Sequence, residues 1–349
     1  MLFIRNLFKP KHGNLAGEYS ALKVAIIADE LTRSSLAAEC QTFNLTPSNY
    51  RRVFQSWKPD LLFVESAWHG YKDAWKYKIA SYPLYPERNN ESLRTLVLEA
   101  KQLGIPAVFW NKEDGVHYDR FIATARLFEN IFTVDINCVD KYKAAVADYK
   151  NIAPLMFPVQ SRFHYFSGRN EKEGEQGFSS FVGSYSKHIH LRRRRWQDML
   201  FETIAPFGLN IYDRNFRRKA AHYRYPSIPG LNVYNGVPYR ETADIYRGHR
   251  INLNVNTIED SPTMYSRRLI EIIAVGGVAI STPSAAVERL FSEFCYIVHS
   301  KEELLSSIDD VLGCGYRQVK EKAEHGAQVI AQQHTWEKRL KSLEALSIF

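Results

Sequence analysis

Arg268 and Glu271 stand three apart within residues 264–281, MYSRRLIEIIAVGGVAIS, and with Arg267 they could hold a phosphorylated ligand. On a helix, positions three and four apart share a face, so two guanidinium groups and one carboxylate would point the same way. Leu269, Ile272 and Ile273 repeat at helical spacing and should face a core. Ser261–Pro262 offers an N-cap followed by a proline at the first helical position, and Gly276–Gly277 offers the left-handed stop. Val278–Ile280 then reads as a short buried strand. A helix start that attracts anions, an arginine fork and a carboxylate one turn later suit a nucleotide diphosphate and its ribose. Met264 and Tyr265, just before the fork, join this donor set. Taken alone, such an Arg–Glu pair is most often a solvated ion pair of small worth, so the pattern needs company to carry meaning.

Further candidates stand after apolar runs. Leu61–Val64 leads into Glu65-Ser66-Ala67-Trp68-His69-Gly70, where Glu65 and His69 suit acid/base work or, equally, helix capping. Ala107–Trp110 leads into Asn111-Lys112-Glu113-Asp114-Gly115-Val116-His117, a dense polar loop whose candidates are Glu113, Asp114 and His117. Glu113 and Asp114 are adjacent and need not share a ligand. No helical His/carboxylate pairing favours a metal, and none is expected. Phe178–Val182 leads into Gly183 and Ser184, whose backbone amides suit a phosphate, with Lys187 beyond. Residues 228–240, with Asn232, Asn235 and Gly236, are the expected region for base recognition. No G-x-G-x-x-G, P-loop or G-x-S-x-G motif is present.

The elements that must position these residues alternate. Strand signals at 24–28, 61–64, 107–110 and 131–133 are interleaved with helical ones, including a capped amphipathic helix over 90–104. That rhythm predicts parallel βαβ units. It breaks over Asn151–Gly177, rich in Pro and Gly, and restarts with strand signals at 178–182, 209–211, 251–254, 278–280 and 296–298. The expected division is an extension over 1–20, an α/β domain over 21–160, a linker over 161–177, a second α/β domain over 178–330 and a helical tail over 331–349. In open parallel sheets ligands bind at the carboxyl ends of the strands, which is where the candidates stand.

Composition narrows the classes. Hydrophobic residues make up 45% and charged residues 24% of 349, as in a soluble chain with a sizeable core. The four cysteines form no C-x-x-C pair, so neither a zinc site nor a disulfide framework is expected and a reducing cytoplasm is the simplest home. There is no apolar run of about 18 residues. The opening MLFIRNLFKPKHG reads first as a frayed or locally packed terminus and second as a weak interfacial anchor, which leaves peripheral membrane contact open. A net charge of +8 favours anionic partners without choosing among them. The run Arg192–Arg195 reads as a charged helix face.

Together these motifs resemble the CgeB-like glycosyltransferases, a bacterial group. The resemblance rests on Phe63–Gly70 with Trp75–Ile79, on Trp110–Asp114 with Asp119–Phe121 and Phe132–Asp135, on Phe181–Ser184, on Ile251–Asn254 and on Arg268–Glu271 through Gly277. It implies a GT-B fold: two Rossmann-like α/β domains facing a cleft, with a C-terminal helical tail. It implies sugar transfer from a nucleotide donor held by the second domain to an acceptor held by the first. Glu271 would hold the ribose, Arg268 the diphosphate, and Gly183, Ser184 and Lys187 the phosphate path. A UDP-sugar is the expected donor, without metal or other cofactor, and a glycan, lipid-linked or protein acceptor is the expected partner in surface-glycan or glycoprotein synthesis. Many retaining members carry a second Glu eight positions before the ribose-binding one. Here that position is Thr263, which favours inversion with a base from the first domain. Two alternatives remain: a DNA-modifying glycosyltransferase, for which nucleic acid is the less favoured partner, and a non-catalytic nucleotide-sugar-binding module.

Overall fold

The computed structural model describes residues 15–168 and 174–349. The opening 13 residues, read above as a terminus or an anchor, lie outside the described residues. The chain forms two compact units: residues up to Phe157 with Trp336–Phe349, and Pro158–Thr335.

The first unit runs β1 (Lys23–Ile27), α1 (Glu30–Leu36), β2 (Gln41–Asn44), α2 (Tyr50–Ser56), β3 (Leu61–Glu65), α3 (Glu91–Gln102), β4 (Ala107–Asn111), α4 (Tyr118–Ala125), β5 (Asn130–Thr133), α5 (Val139–Ala145) and β6 (Asn151–Pro154). Its strands make one parallel sheet in the order β2-β1-β3-β4-β5-β6. Helices cover both faces of such a sheet, so its central strands are apolar throughout instead of alternating. β3 is buried along its whole length. In α3, Leu93, Leu96, Val97 and Ala100 form the buried stripe, as the periodicity predicts.

The second unit runs β7 (Gly177–Gly183), α6 (Leu191–Ile204), β8 (Leu209–Asp213), β9 (Leu231–Asn235), α7 (Thr242–Gly248), β10 (His249–Asn254), α8 (Arg267–Ala274), β11 (Ala279–Ser281), α9 (Ala285–Phe291), β12 (Tyr296–Ile297), α10 (Lys301–Leu312) and α11 (Tyr316–Gln333). Its six strands are parallel too, in the order β12-β11-β10-β7-β8-β9. α12 (Trp336–Ala345) then returns to the first unit, where Trp336 packs 5.5 Å from Trp110 and 6.1 Å from Phe63. Among the described residues, no helix is long and apolar enough to cross a membrane.

Three sequence readings are corrected. Strands β2, β6 and β9 gave no signal, because each lies at or near a sheet edge, where polar residues and even Pro154 are tolerated. The expected linker over 161–177 belongs, in its described part, to the second unit. His164 is buried and hydrogen-bonded to Thr242 at 2.8 Å, and the Phe166 ring occupies the space beside Gly276, where a Cβ would meet it at 2.6 Å. Its described part is thus a packed segment instead of a free connection. The helix expected to open at Ser261–Pro262 opens at Ser266. The Ser261 hydroxyl accepts from the N–H of Met264 at 3.1 Å and makes a turn, and Asn256 Oδ1 accepts from Ser266 N–H at 3.1 Å.

Candidate functional site

The second sheet has the strand order of the dinucleotide-binding fold, so its switch point lies between the carboxyl ends of β7 and β10. β10 reads Ile-Asn-Leu-Asn, and its buried asparagines set the geometry there. Asn252 accepts from the Ser180 hydroxyl at 2.6 Å, and Asn254 donates to Ser281 Oγ at 3.0 Å. Asn256, just beyond, holds the start of α8.

From that start the two arginines diverge. Arg267 donates to Glu271 at 2.6 Å. Arg268 turns to the switch point, where its Nε donates to the Val182 carbonyl and its guanidinium lies 4.3 Å from the Phe181 ring centre. A Cβ on Gly183 would stand 2.8 Å from its Nη2, so only glycine lets the fork lie across this strand end.

Two more arginines reach the same place. Arg214 follows β8, and its N–H donates to the Gly183 carbonyl at 3.3 Å. Arg193 comes from the first turn of α6, with its Nε buried and without a partner. Burial, with Arg268 and Arg214 close by, pushes the Arg193 guanidinium down to about 10. The Tyr225 hydroxyl among these arginines is also buried and unpartnered, and burial raises its pKa. Among the described residues none of Arg193, Arg214 and Arg268 forms a salt bridge with a carboxylate; Asp213 and Glu271 act on Arg214 and Arg268 only from a distance, so positive charge and the unpartnered Arg193 and Tyr225 donors converge here. An oxyanion with several acceptor atoms would satisfy both.

The other donor candidates are placed as follows. Glu271 is buried and held by Arg267, with the Tyr246 hydroxyl 3.4 Å away. It and Arg268 do not share a partner. Tyr265 sits in the core with its ring 4.9 Å from Phe291, which corrects its reading as a donor contact. Met264 is half-buried. Ser184 follows Gly183, and its carbonyl accepts from Gln197 at 3.1 Å. Lys187 is exposed, its N–H bonded to the His222 carbonyl. Asn235 ends β9 exposed, and Gly236 packs against the Arg214 backbone, 2.9 Å from where its Cβ would be. Thr263 is buried, and nearby Glu259 is taken up by Arg192 at 2.6 Å and Trp196 at 3.0 Å.

In the first unit the switch point lies between β1 and β3. Glu65 ends β3, fully buried. Its Oε1 accepts from Lys112 Nζ at 2.9 Å and from the Asp29 N–H at 2.6 Å. The Asp29 carboxylate accepts from the N–H groups of Trp68, His69 and Gly70 at 3.0, 3.1 and 2.8 Å. Burial pushes the Asp29 carboxyl up, but Lys112 and these N–H groups outweigh it and hold it low. Burial likewise disfavours the Lys112 ammonium, and Glu65, Glu113 and Asp29 reverse that. Asp114 is also fully buried, bonded to Asn111 Nδ2 at 2.7 Å and to the Tyr142 hydroxyl at 2.9 Å, and burial lifts it to about 7. Glu65 and Asp114 thus build the scaffold, which corrects their reading as substrate-touching groups.

The reachable candidates are His69, Glu113 and His117. His69 is exposed, and its Nδ1 lies 2.8 Å from the Asp73 carboxylate. That carboxylate favours the tautomer with the proton on Nδ1, leaving Nε2 as a proton acceptor. Asp73 and its neighbour Lys72 adopt positive φ, +60° and +51°, conformations that cluster where a chain is shaped for function. His117 packs edge-on to Trp68 at 5.3 Å. Sequence reading missed Arg193, Arg214, Tyr225, Asp29 and Lys112. For Asp29, Lys112, Arg193 and Arg214 the one available signal was position just after a strand or in the first turn of the next helix; Tyr225, in the connection between β8 and β9, gave none.

Comparison with known proteins agrees with this architecture. Residues 192–345 match the model of the "Glycosyl transferase-like" family. No curated protein sequence matches the chain. Among solved structures, an alpha-glucosyltransferase in complex with UDP and a 13-mer DNA is similar with a TM-score of 0.61 at 10% identity, over 94% of this chain and 100% of that one. Sucrose-phosphate synthase from Thermosynechococcus elongatus is similar at 0.56 and 10%, over 94% and 98%. Anabaena HepE in complex with UDP is similar at 0.54 and 10%, over 94% and 92%. The chain shares the fold of these structures, the GT-B fold.

Proposed function

We propose that the protein is a glycosyltransferase that moves a sugar from a nucleotide donor, a UDP-sugar, to a hydroxyl acceptor. The observation that carries this reading is the meeting of Arg193, Arg214 and Arg268 at a switch point where, among the described residues, none of the three forms a salt bridge. The diphosphate is the group that fits. As the bond from the anomeric carbon to the diphosphate oxygen breaks, negative charge grows on the leaving group, and preorganised guanidinium groups stabilise it without reorganising. Glu271 serves the ribose on this reading, once Arg267 yields one of its oxygens. Gly183, Ser184 and Lys187 line the phosphate path, and Asn235 and Gly236 lie by the base.

Inversion at the anomeric carbon is part of the proposal, supported by the Thr263 position and by the His69–Asp73 pair. The acceptor hydroxyl attacks the anomeric carbon and gives its proton to His69 Nε2, while the nucleoside diphosphate leaves with the bonding electrons. Glu113 and His117 are the other accessible bases. The finer resemblance to CgeB-like enzymes, the cytoplasmic setting and a glycan, lipid-linked or protein acceptor belong to the same proposal.

Isothermal titration with UDP and UDP-hexoses tests it. Binding of UDP that is lost in Arg268→Ala supports the site. Equal binding in both proteins, or none in the wild type, overturns it. Anomeric NMR of the transferred sugar then decides the stereochemistry.

A second reading, DNA as the acceptor, is favoured by one observation. Lys187–Arg224 carries ten Lys and Arg against three Asp and Glu, seven of the chain's eight net positive charges. Duplex binding should then fall steeply between about 50 and 200 mM salt. No binding of a short duplex at the lower salt removes this reading.

A further inference from the structure

The loop between β3 and α3 builds a second recessed surface in the first unit. A cavity of about 240 Å³ opens there, lined in part by Ser81, Tyr82, Tyr85, Arg88, Asn89 and Asn90. Its frame is fixed from behind. Ser81 and Arg120 exchange hydrogen bonds of 2.6 and 2.9 Å, and Asn90 Nδ2 donates to Ala123 O and Thr124 Oγ1 at 3.2 and 3.1 Å. Tyr77, also at positive φ, leans edge-on against Tyr82 at 5.3 Å. The Arg88 guanidinium lies 4.2 Å from the Tyr77 ring centre and 4.1 Å from that of Tyr85. The hydroxyls of Tyr77, Tyr82 and Tyr85 make no hydrogen bond to the described residues. Among the described residues the one carboxylate near Arg88 is that of Glu87, at 3.6 Å.

A packing cluster would bury these rings and satisfy their polar ends. Here Tyr77 is 37% and Tyr85 47% exposed beside a cavity. Aromatic faces carry partial negative charge and attract the partly positive C–H groups of a sugar ring. Phenol, guanidinium and amide groups around them supply the mixed donors and acceptors that ring hydroxyls need. The volume lies below the range of about 300–1,000 Å³ usual for drug-sized ligands, which suits one ring and not a nucleotide.

We propose that this cavity binds one pyranose ring of a carbohydrate. Its assignment as the acceptor's ring rests on the glycosyl-transfer reading; the binding itself does not.

Saturation-transfer NMR on the full chain tests it, with the methyl glucosides, galactosides and mannosides as probes and UDP titrated separately. Ring-proton saturation from at least one pyranoside is expected. Its affinity should be weakened roughly 2–12-fold in Tyr85→Ala, the factor for one lost aromatic contact, and kept in Tyr85→Trp. Arg88→Ala should weaken it as well. Should that variant unfold, the exposed Tyr85 pair still decides. No saturation from any probe, or saturation unchanged in Tyr85→Ala, overturns the proposal. UDP binding without pyranoside binding sinks this site and leaves the donor site standing. Pyranoside binding without UDP binding does the reverse.

Discussion

At the carboxyl end of the first sheet, Asp29, Glu65 and Lys112 answer one another's charge. At the corresponding end of the second, Arg193, Arg214 and Arg268 meet, and among the described residues none of them forms a salt bridge. Both places are switch points of parallel sheets, where fold alone makes a ligand site plausible. The difference teaches that the position is generic and the charge balance is not. The first network, two carboxylates around one ammonium, is tied together by its own hydrogen bonds and holds the β1 and β3 ends together. Arginines that lack a salt bridge gain most from a bound anion.

Breaking the first network should cost most. Lys112→Met leaves two carboxylates facing each other and should lower stability by about 3–5 kcal/mol, read by denaturant unfolding. A loss below about 1 kcal/mol would show that the network is not what it seems geometrically.

Asp114 sharpens the contrast through pH. Its carboxyl is lifted to about 7 in the fold, while the unfolded chain releases that proton near 4. Below pH 4 both states hold the proton, so the burial carries no penalty. Between 4 and 7 the unfolded state is favoured increasingly, and above 7 the deficit is complete. The shift corresponds to at most about 4 kcal/mol. Asp114→Asn should therefore gain on the wild type as pH rises from 4 to 7. A stability difference that stays flat over that range would refute the assignment.

At the second switch point the effect should appear in binding. Arg268→Ala should weaken UDP affinity on the order of 10–100-fold, the worth of a hydrogen bond to a charged group, as measured by titration. The smallest effect should come from Arg193→Met. Removing an unpaired buried charge should leave unliganded stability unchanged or raise it by up to about 1 kcal/mol, with UDP bound several-fold more weakly. A clear loss of stability would mean that Arg193 already has its partner.

The alternation of elements was legible because β3 and β4 are apolar almost throughout, and because Phe178, Phe181 and Val182 in β7 and Ile251 and Leu253 in β10 still mark those strands. Edge strands are not so marked, since β2 and β9 carry Gln, Asn and Tyr on half-covered faces. Arg268 was legible from its place beside Glu271 and ahead of two glycines. Its true contact, the Val182 carbonyl 86 positions earlier, was not, because only strand order brings β7 beside β10. The run Arg192–Arg195 shows the same limit. One of its four residues, Arg193, turns inward while Arg192 and Arg195 face solvent, and a string of identical letters cannot say which. Glu65 and Asp114 misled in the opposite sense: a carboxylate after a strand looks the same whether it meets substrate or Lys112 and Tyr142.

The return of α12 bears on how the molecule is made. Trp336, Leu340 and Leu343 are buried in a unit whose other residues end at Phe157, and Arg339 donates to the Met156 carbonyl at 2.8 Å. During synthesis the whole second unit emerges before this helix does. The unit begun first is thus finished last. Until residue 336 leaves the ribosome, the faces of Phe63 and Trp110 that α12 covers stay bare, so the nascent first half must wait with an apolar surface open for the time it takes to translate 178 residues, Pro158–Thr335.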